Sequence, residues 1–299
     1  MDKKLSYQPT PILELKDSLL NGLDLRLLLK CEYQNHALIS GNKWWKLKYN
    51  LEEAQRLKKD TLLTFGGAYS NHIYATASAA KELGFKSVGV IRGEKIIPLN
   101  PTLAFAESCG MKLEFVSRED YRHKTEKAFV QQLQNKFGDF YLIPEGGTNE
   151  LAVKGVAEFA TSLLQETEFD YLCVPVGTGG TMAGMINGIE GRKNMLGFSV
   201  LKGGGFLNDE VKKWSNYSID NWSMVKDYHF GGYAKTTDEL EIFIRRFETQ
   251  HQLPLDQVYT AKMMFGVFDL AKKGLFKKGT TILALHTGGL QGRSFTSIP

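Results

Sequence analysis

Cysteine is scarce in this chain, with three in 299 residues. Cys31, Cys109 and Cys173 lie far apart and make no Cys-x-x-Cys pair, which leaves a disulfide framework and a zinc knuckle without support. Cys173, inside the apolar run Tyr-Leu-Cys-Val-Pro-Val, reads as a small core residue. His36, His123, His229 and His251 fall at no metal-ligand spacing, so no metal site is expected. No apolar run approaches the length of a membrane span. The opening Met1-Asp2-Lys3-Lys4-Leu5-Ser6 lacks the apolar stretch of a secretory signal, and the expectation is a cytoplasmic protein. The net charge of +4 is spread along the chain, with lysines and carboxylates interleaved as in Lys46-Leu-Lys-Tyr-Asn-Leu-Glu-Glu. With no strip of one sign, neither a nucleic acid nor a membrane surface is expected as partner. A small anionic ligand remains compatible.

Hydrophobic residues make up 42% and charged residues 23%, the balance of a globular protein, and the length suffices for two subdomains. Short apolar runs at 61–65, 86–93, 112–116, 140–143, 171–176, 195–200 and 280–286 read as strands. Helical periodicity fills the intervals near 44–58, 70–83, 100–109, 120–136, 149–166, 180–188, 237–250 and 261–273. Thr236-Thr-Asp-Glu239 has the spacing of a capping box before Leu240. This alternation predicts an α/β fold in two lobes, each a mainly parallel twisted sheet covered by helices. The expected division is a smaller lobe over 46–150 and a larger one from 1–45 and 151–299. Ligands of such sheets gather at the carboxyl ends of the strands. Two glycine-rich turns stand there, after 61–65 and after 171–176.

Val176-Gly177-Thr178-Gly179-Gly180-Thr181 runs from a strand into a helix. Its glycines let successive N–H groups converge on an anion, with the helix dipole behind them. A tight turn with no ligand is the bland alternative, because a lone glycine pattern is weak evidence. No Gly-Lys-Ser/Thr follows, and Met182 occupies the third glycine position of a dinucleotide fingerprint, so a monophosphate fits better. Gly66-Gly67-Ala68-Tyr69-Ser70-Asn71-His72 offers a hydroxyl, an amide and an imidazole at a helix start, a place for a carboxylate. There the alternative is that Ser70 or Asn71 merely caps the helix. Gly41-Asn42-Lys43 closes a third turn and presents a lysine, which alone would be one ordinary charge among 37 lysines and arginines.

Taken together, Ile39-Ser40-Gly41-Asn42-Lys43-Trp44-x-Lys46-Leu47, Tyr69-Ser70-Asn71-His72, Gly177–Thr181 and Val258-Tyr259-Thr260 resemble the pyridoxal-phosphate enzymes of the tryptophan synthase β-subunit fold. The similarity runs from Thr10-Pro11-Ile12 to His286-Thr287-Gly288-Gly289. It is strongest to the branch of 1-aminocyclopropane-1-carboxylate deaminase and D-cysteine desulfhydrase. The resemblance implies pyridoxal 5'-phosphate as cofactor, bound covalently by Lys43, which would later move the substrate Cα proton. It places Lys46 on the phosphate with Gly177, Thr178, Gly179, Gly180 and Thr181. Asn71 is implied at the ring hydroxyl and Thr260 at the pyridine nitrogen. Ser70, Asn71 and the backbone around His72 would receive the substrate, with Tyr233 and Tyr259 as flanking acid–base groups. A nearby cation such as Lys46 would depress the pKa of Lys43. A small amino-acid substrate and a homodimer follow from the same resemblance.

At the position of Thr260 the cyclopropane deaminase carries a glutamate, which protonates the ring nitrogen and strengthens the electron sink. A hydroxyl would meet a neutral nitrogen, which favours expulsion of a good β-leaving group. The expected function is therefore a D-cysteine desulfhydrase-like β-elimination giving a 2-oxo acid and ammonia. The alternatives are the cyclopropane deaminase itself and a non-catalytic binder of pyridoxal phosphate or a related anion. A nicotinamide oxidoreductase is disfavoured by its missing fingerprint. The chain departs from the family pattern at Trp45, where an arginine is usual, and at Cys31-Glu32-Tyr33, where an acidic pair is usual. It departs again at Gly231-Gly232-Tyr233-Ala234 and at Gly289-Leu290-Gln291-Gly292. His286 is expected either to approach the cofactor ring or to be a satisfied histidine at a strand end.

Overall fold

The computed structural model describes residues 4–216 and 218–293. Residues 1–3, 217 and 294–299 of the expected larger lobe lie outside the described residues. The strands, in chain order, are β1 (Ile12–Glu14), β2 (Arg26–Lys30), β3 (Thr61–Gly67), β4 (Lys86–Arg92), β5 (Met111–Val116), β6 (Tyr141–Ile143), β7 (Tyr171–Val176), β8 (Asn194–Ser199), β9 (Trp222–Val225) and β10 (Thr281–Leu285). They form a six-stranded sheet in the order β1-β2-β10-β7-β8-β9 and a four-stranded sheet in the order β5-β4-β3-β6. Every pairing is parallel except that of β1 with β2. This is the α/β architecture of two mainly parallel sheets under helices that the alternation predicts.

The helices are α1 (Ser18–Gly22), α2 (Asn42–Arg56), α3 (Asn71–Leu83), α4 (Pro101–Ser108), α5 (Lys127–Phe137), α6 (Glu150–Glu166), α7 (Gly180–Ile189), α8 (Leu207–Trp214), α9 (Asp238–His251) and α10 (Thr260–Lys272). Central strands are buried on both faces, as in β7, where Leu172 to Val176 are all covered, because helices shield each side of a parallel sheet. Edge strands β1 and β9 are short and half-exposed. Leu47, Leu51 and Ala54 of α2 meet Val153, Val156 and Phe159 of α6 in one core. There the Trp45 ring stacks on Phe159 at 5.0 Å between centroids. Trp44 and Trp45 are thus packing residues, as aromatic burial favours.

Two expectations change. The segment 120–136 is not one helix: a 3-10 turn at Asp120–His123 is followed by a break, and α5 starts at Lys127. The break turns Lys124 and Thr125 toward the central cleft. The cap of α9 is Thr237, not Thr236, since Thr237 Oγ1 accepts from Leu240 N at 3.4 Å. Thr236 reaches Glu241 instead, and because Leu240 stands three residues after Thr237, the cap has no acidic side chain to return its bond and the box does not form. Among the described residues no helix is long and apolar enough to cross a membrane, and no group of His, Cys, Asp and Glu is placed to hold a metal.

Candidate active site

Strands β3, β7 and β10 end on one cleft of about 720 Å³. Lys43, Lys46, Ser70, Asn71, His72, Gly177, Thr178, Gly179, Thr181, Tyr233 and Tyr259 all line it. Gly180 and Thr260 do not, and each lies one residue behind the wall.

Lys43 is set by the turn that starts α2. Gly41 holds φ at +70°, and a β-carbon there would sit 2.0 Å from the Thr287 carbonyl oxygen, so only glycine fits against the end of β10. Asn35 clasps the same turn, donating to the Gly41 carbonyl at 3.0 Å and accepting from Gly41 N at 2.8 Å. Asn35 is fixed in turn by Glu32, a fully buried carboxylate that also takes hydrogen bonds from Thr10 at 2.6 Å and from the Trp45 indole at 2.8 Å. The two departures at Glu32 and Trp45 are therefore one arrangement, in which a neutral indole donor answers the carboxylate.

Burial lowers the Lys43 amine to about 8, and among the described residues it makes no hydrogen bond or ion pair. The cation of Lys46 is not the cause expected for that shift. Burial alone accounts for it, and Lys43 adds instead to the burial that drives Lys46 well below its ordinary range. Among the described residues the amine of Lys46, a residue 1% exposed, has a single partner, Thr148 Oγ1 at 2.9 Å. Thr148 continues to Thr178 at 2.9 Å, which links the lysine to the glycine turn. Thr148 was not legible as a site residue, because its part comes only from this contact across 102 positions.

These residues fit the phosphate end of pyridoxal phosphate. The buried Lys46 amine and the half-buried Lys43 amine face the same cleft, with no carboxylate on either among the described residues, and an arriving anion would let them hold their protons. The first turn of α7 starts at Gly179, φ +81°, with no side chain capping it. A β-carbon at Gly180 would press within 2.6–2.7 Å of the Thr148 side chain, so the cradle tolerates only glycine there. Asn42 Nδ2 donates to Thr181 Oγ1 at 2.7 Å and ties the lysine turn to this loop.

The turn after β3 is occupied by its own protein. Ser70 caps α3, its Oγ accepting from Ile73 N at 3.3 Å. Asn71 Oδ1 accepts from Gln291 at 2.8 Å, so the departure at 289–292 touches a side chain of the cleft wall. His72 is buried behind it, with Nε2 2.8 Å from Thr64 Oγ1.

Tyr233 and Tyr259 meet edge to face at 6.1 Å between ring centroids. Burial, then the neighbouring Tyr233 hydroxyl, holds Tyr259 well above the ordinary phenol range, and burial raises Tyr233, so both keep their protons at neutral pH. Lys262 of α10 fastens the Tyr233 loop by donating to the carbonyls of His229 at 2.9 Å and Gly232 at 2.7 Å. Thr260 is fully buried and donates its hydroxyl hydrogen to Asp256 Oδ2 at 2.6 Å, while accepting from Asp256 N at 3.0 Å. Asp256 also takes the N–H groups of Val258 and Tyr259, which makes it the anchor of the start of α10. His286 is the satisfied strand-end histidine, with Nδ1 accepting from Gly288 N and Nε2 2.9 Å from the Pro254 carbonyl.

The family model for "Pyridoxal-phosphate dependent enzyme" matches residues 3–288. A Thermotoga maritima protein named, provisionally, as a 1-aminocyclopropane-1-carboxylate deaminase is 33% identical, covering 96% of each chain. The bifunctional D-cysteine desulfhydrase/1-aminocyclopropane-1-carboxylate deaminase of Arabidopsis thaliana is 29% identical over 96% of this chain and 78% of its own. A crystal structure of a homologue of the cyclopropane deaminase superposes with a TM-score of 0.81 at 28% identity, covering 97% of this chain and 92% of that one.

Proposed function

We propose that this chain, which belongs to the pyridoxal-phosphate dependent enzyme family and to its 1-aminocyclopropane-1-carboxylate deaminase and D-cysteine desulfhydrase branch, removes the Cα proton of a small amino acid and lets a β-substituent leave. The observation that carries this reading is the pairing of Lys43 with two protonated tyrosines on the wall of one cleft. When bound, pyridoxal phosphate supplies an aldehyde for amino groups and a ring that withdraws negative charge from the adjacent carbon. Lys46, Thr178 and the backbone of 177–181 hold its phosphate, and Asn71 its ring hydroxyl. Lys43, with a pKa near 8, exchanges a proton with carbon at ordinary pH. Tyr233 and Tyr259 keep a proton ready for the departing group. Ser70 and the first N–H groups of α3 orient the substrate carboxylate. A D-cysteine desulfhydrase-like elimination, giving 2-oxo acid, ammonia and sulfide, is the first reading.

The second reading, a cyclopropane deaminase, is favoured by Asp256. The Thr260 hydrogen is already committed to that carboxylate, so the hydroxyl can only accept from an arriving group. A ring nitrogen meeting it would be protonated, with a carboxylate one bond behind. The discrimination drawn from Thr260 alone is weakened accordingly.

The test is a visible absorption spectrum of the cofactor-loaded protein with D-cysteine, L-cysteine, D-serine and 1-aminocyclopropane-1-carboxylate added in turn, with 2-oxo acid assayed. A response confined to D-cysteine supports the first reading. Turnover of the cyclopropane substrate supports the second, and a band that none disturbs contradicts both.

A further inference from the structure

Arg92 ends β4 on the wall of the cleft, exposed, and is the one arginine there among the described residues. It makes no hydrogen bond or ion pair among them. The guanidinium lies over the turn after β3, with Nη2 3.6 Å from where a β-carbon on Gly67 would stand. Tyr233 reaches the same turn, its hydroxyl donating to the Tyr69 carbonyl at 3.4 Å. The Arg92 charge acts on that hydroxyl, pulling against the burial that raises Tyr233. Lys124 stands on the same ring as the guanidinium: its Nζ is 4.8 Å and the Arg92 Cζ 5.7 Å from the centroid of Tyr121. Glu145 answers Lys124 at 3.4 Å, and all three charged groups line the cleft. One positive charge of the three is left over, and it sits on Arg92.

We infer that Arg92 binds an oxyanion at the far end of the substrate's β-substituent, so that the enzyme prefers amino acids whose leaving group is itself charged, such as a phosphate ester. The inference rests on the lyase reading above and specifies its substrate. In that reading the cofactor phosphate has Lys46 and the turn at 177–181, and the substrate carboxylate has Ser70 and the first N–H groups of α3. Arg92 belongs to neither set and stands beside Tyr233, the residue assigned to the departing group. A guanidinium is charged at every working pH and offers parallel N–H donors, the match of a phosphate or carboxylate rather than of a neutral thiol. With a phosphate ester the Cα–H and Cβ–O bonds break, and phosphate leaves with the Cβ–O electron pair. Water then completes the release of 2-oxo acid and ammonia, and no oxidant or reductant enters.

Two pairs of amino acids, each as both enantiomers, test this in pyridoxal-phosphate-loaded wild type and Arg92→Gln. Glutamate and glutamine have no β-leaving group, and the terminal carbon of each stands as many bonds from Cα as the phosphorus of O-phosphoserine. In a spectral titration wild type should bind glutamate about tenfold tighter than glutamine of the same hand, the effect of a charge-assisted hydrogen bond at an exposed site. Arg92→Gln should erase that ratio. O-phosphoserine and 3-chloroalanine both carry a good leaving group, charged in the first and neutral in the second. Arg92→Gln should lower the ratio of their kcat/KM values for 2-oxo acid release about tenfold, through the KM of O-phosphoserine. Arg92 is exposed at a strand end, and turnover of 3-chloroalanine by the variant shows that it has folded. A loss shared equally within each pair would put Arg92 on the substrate α-carboxylate, and ratios that Arg92→Gln leaves untouched would put it outside the substrate site. Either result overturns the inference and leaves the lyase reading standing, as does a wild type that consumes 3-chloroalanine but not O-phosphoserine. A loaded protein that releases 2-oxo acid from neither overturns both.

Discussion

The two strand-to-helix turns that face each other across the cleft are built to opposite plans. After β7, the turn at 177–181 carries no side-chain cap, and Lys46 stands beside it with one partner and a suppressed charge. After β3, Ser70 caps its own helix, Asn71 is held by Gln291, and His72 is buried on Thr64. One turn offers backbone donors and an amine that an arriving anion of the right size would charge. The other offers a few oriented side chains. A cofactor that must be held in one place for every substrate suits the first, and recognition of a particular amino acid suits the second.

Lys46→Met should break this contrast most sharply. Losing a charge-assisted hydrogen bond to phosphate is worth about 1.5–3 kcal/mol, so pyridoxal phosphate should bind roughly ten- to a hundredfold more weakly. The substrate preference of the loaded fraction should not change. Altered preference with unchanged cofactor affinity would show the plans to be exchanged. The rate of cofactor uptake by the stripped protein should follow the unprotonated fraction of Lys43. Burial holds its pKa below the usual lysine value, at about 8, so uptake should rise about tenfold per pH unit below that point and level off above it. A rise that continues to pH 10 would place the reactive amine in water. Ser70→Ala should have the smallest effect, about 1 kcal/mol from the lost cap of α3, seen as a lower Tm at unchanged cofactor affinity. A loss of cofactor in that variant would mean that the β3 turn also holds the phosphate.

Features carried by contiguous residues were legible in the sequence, and features made across elements were not. Gly41-Asn42-Lys43 and 177–181 declare themselves because each turn needs its glycines locally. The strand runs of β3, β4 and β7 were visible as unbroken apolar stretches. Strand β2 was missed because Leu27-Leu28-Leu29 shows no period that separates strand from helix, and β9 because four half-exposed residues leave little pattern. Reading 120–136 as one helix followed its apolar spacing, and no Gly or Pro marks the break at 124–126. Thr148 on Lys46, Asp256 on Thr260, Lys262 on the Tyr233 loop and Thr64 on His72 are all hydrogen bonds. Only Asp256 and Thr260 are near in sequence, and there a helix-start carboxylate was overlooked. The tautomer of His72 was not legible either, since it follows from Thr64 and Ile143.

The central claim is that Lys43, lowered by burial and without a hydrogen-bonding partner among the described residues, is the amine that takes the cofactor. Reduction of the pyridoxal-phosphate-loaded protein with borohydride, followed by peptide mass spectrometry, tests it directly. The account predicts one reduced adduct, on Lys43, absent from Lys43→Ala. An adduct on Lys46 or Lys262, or none on any lysine, would contradict it.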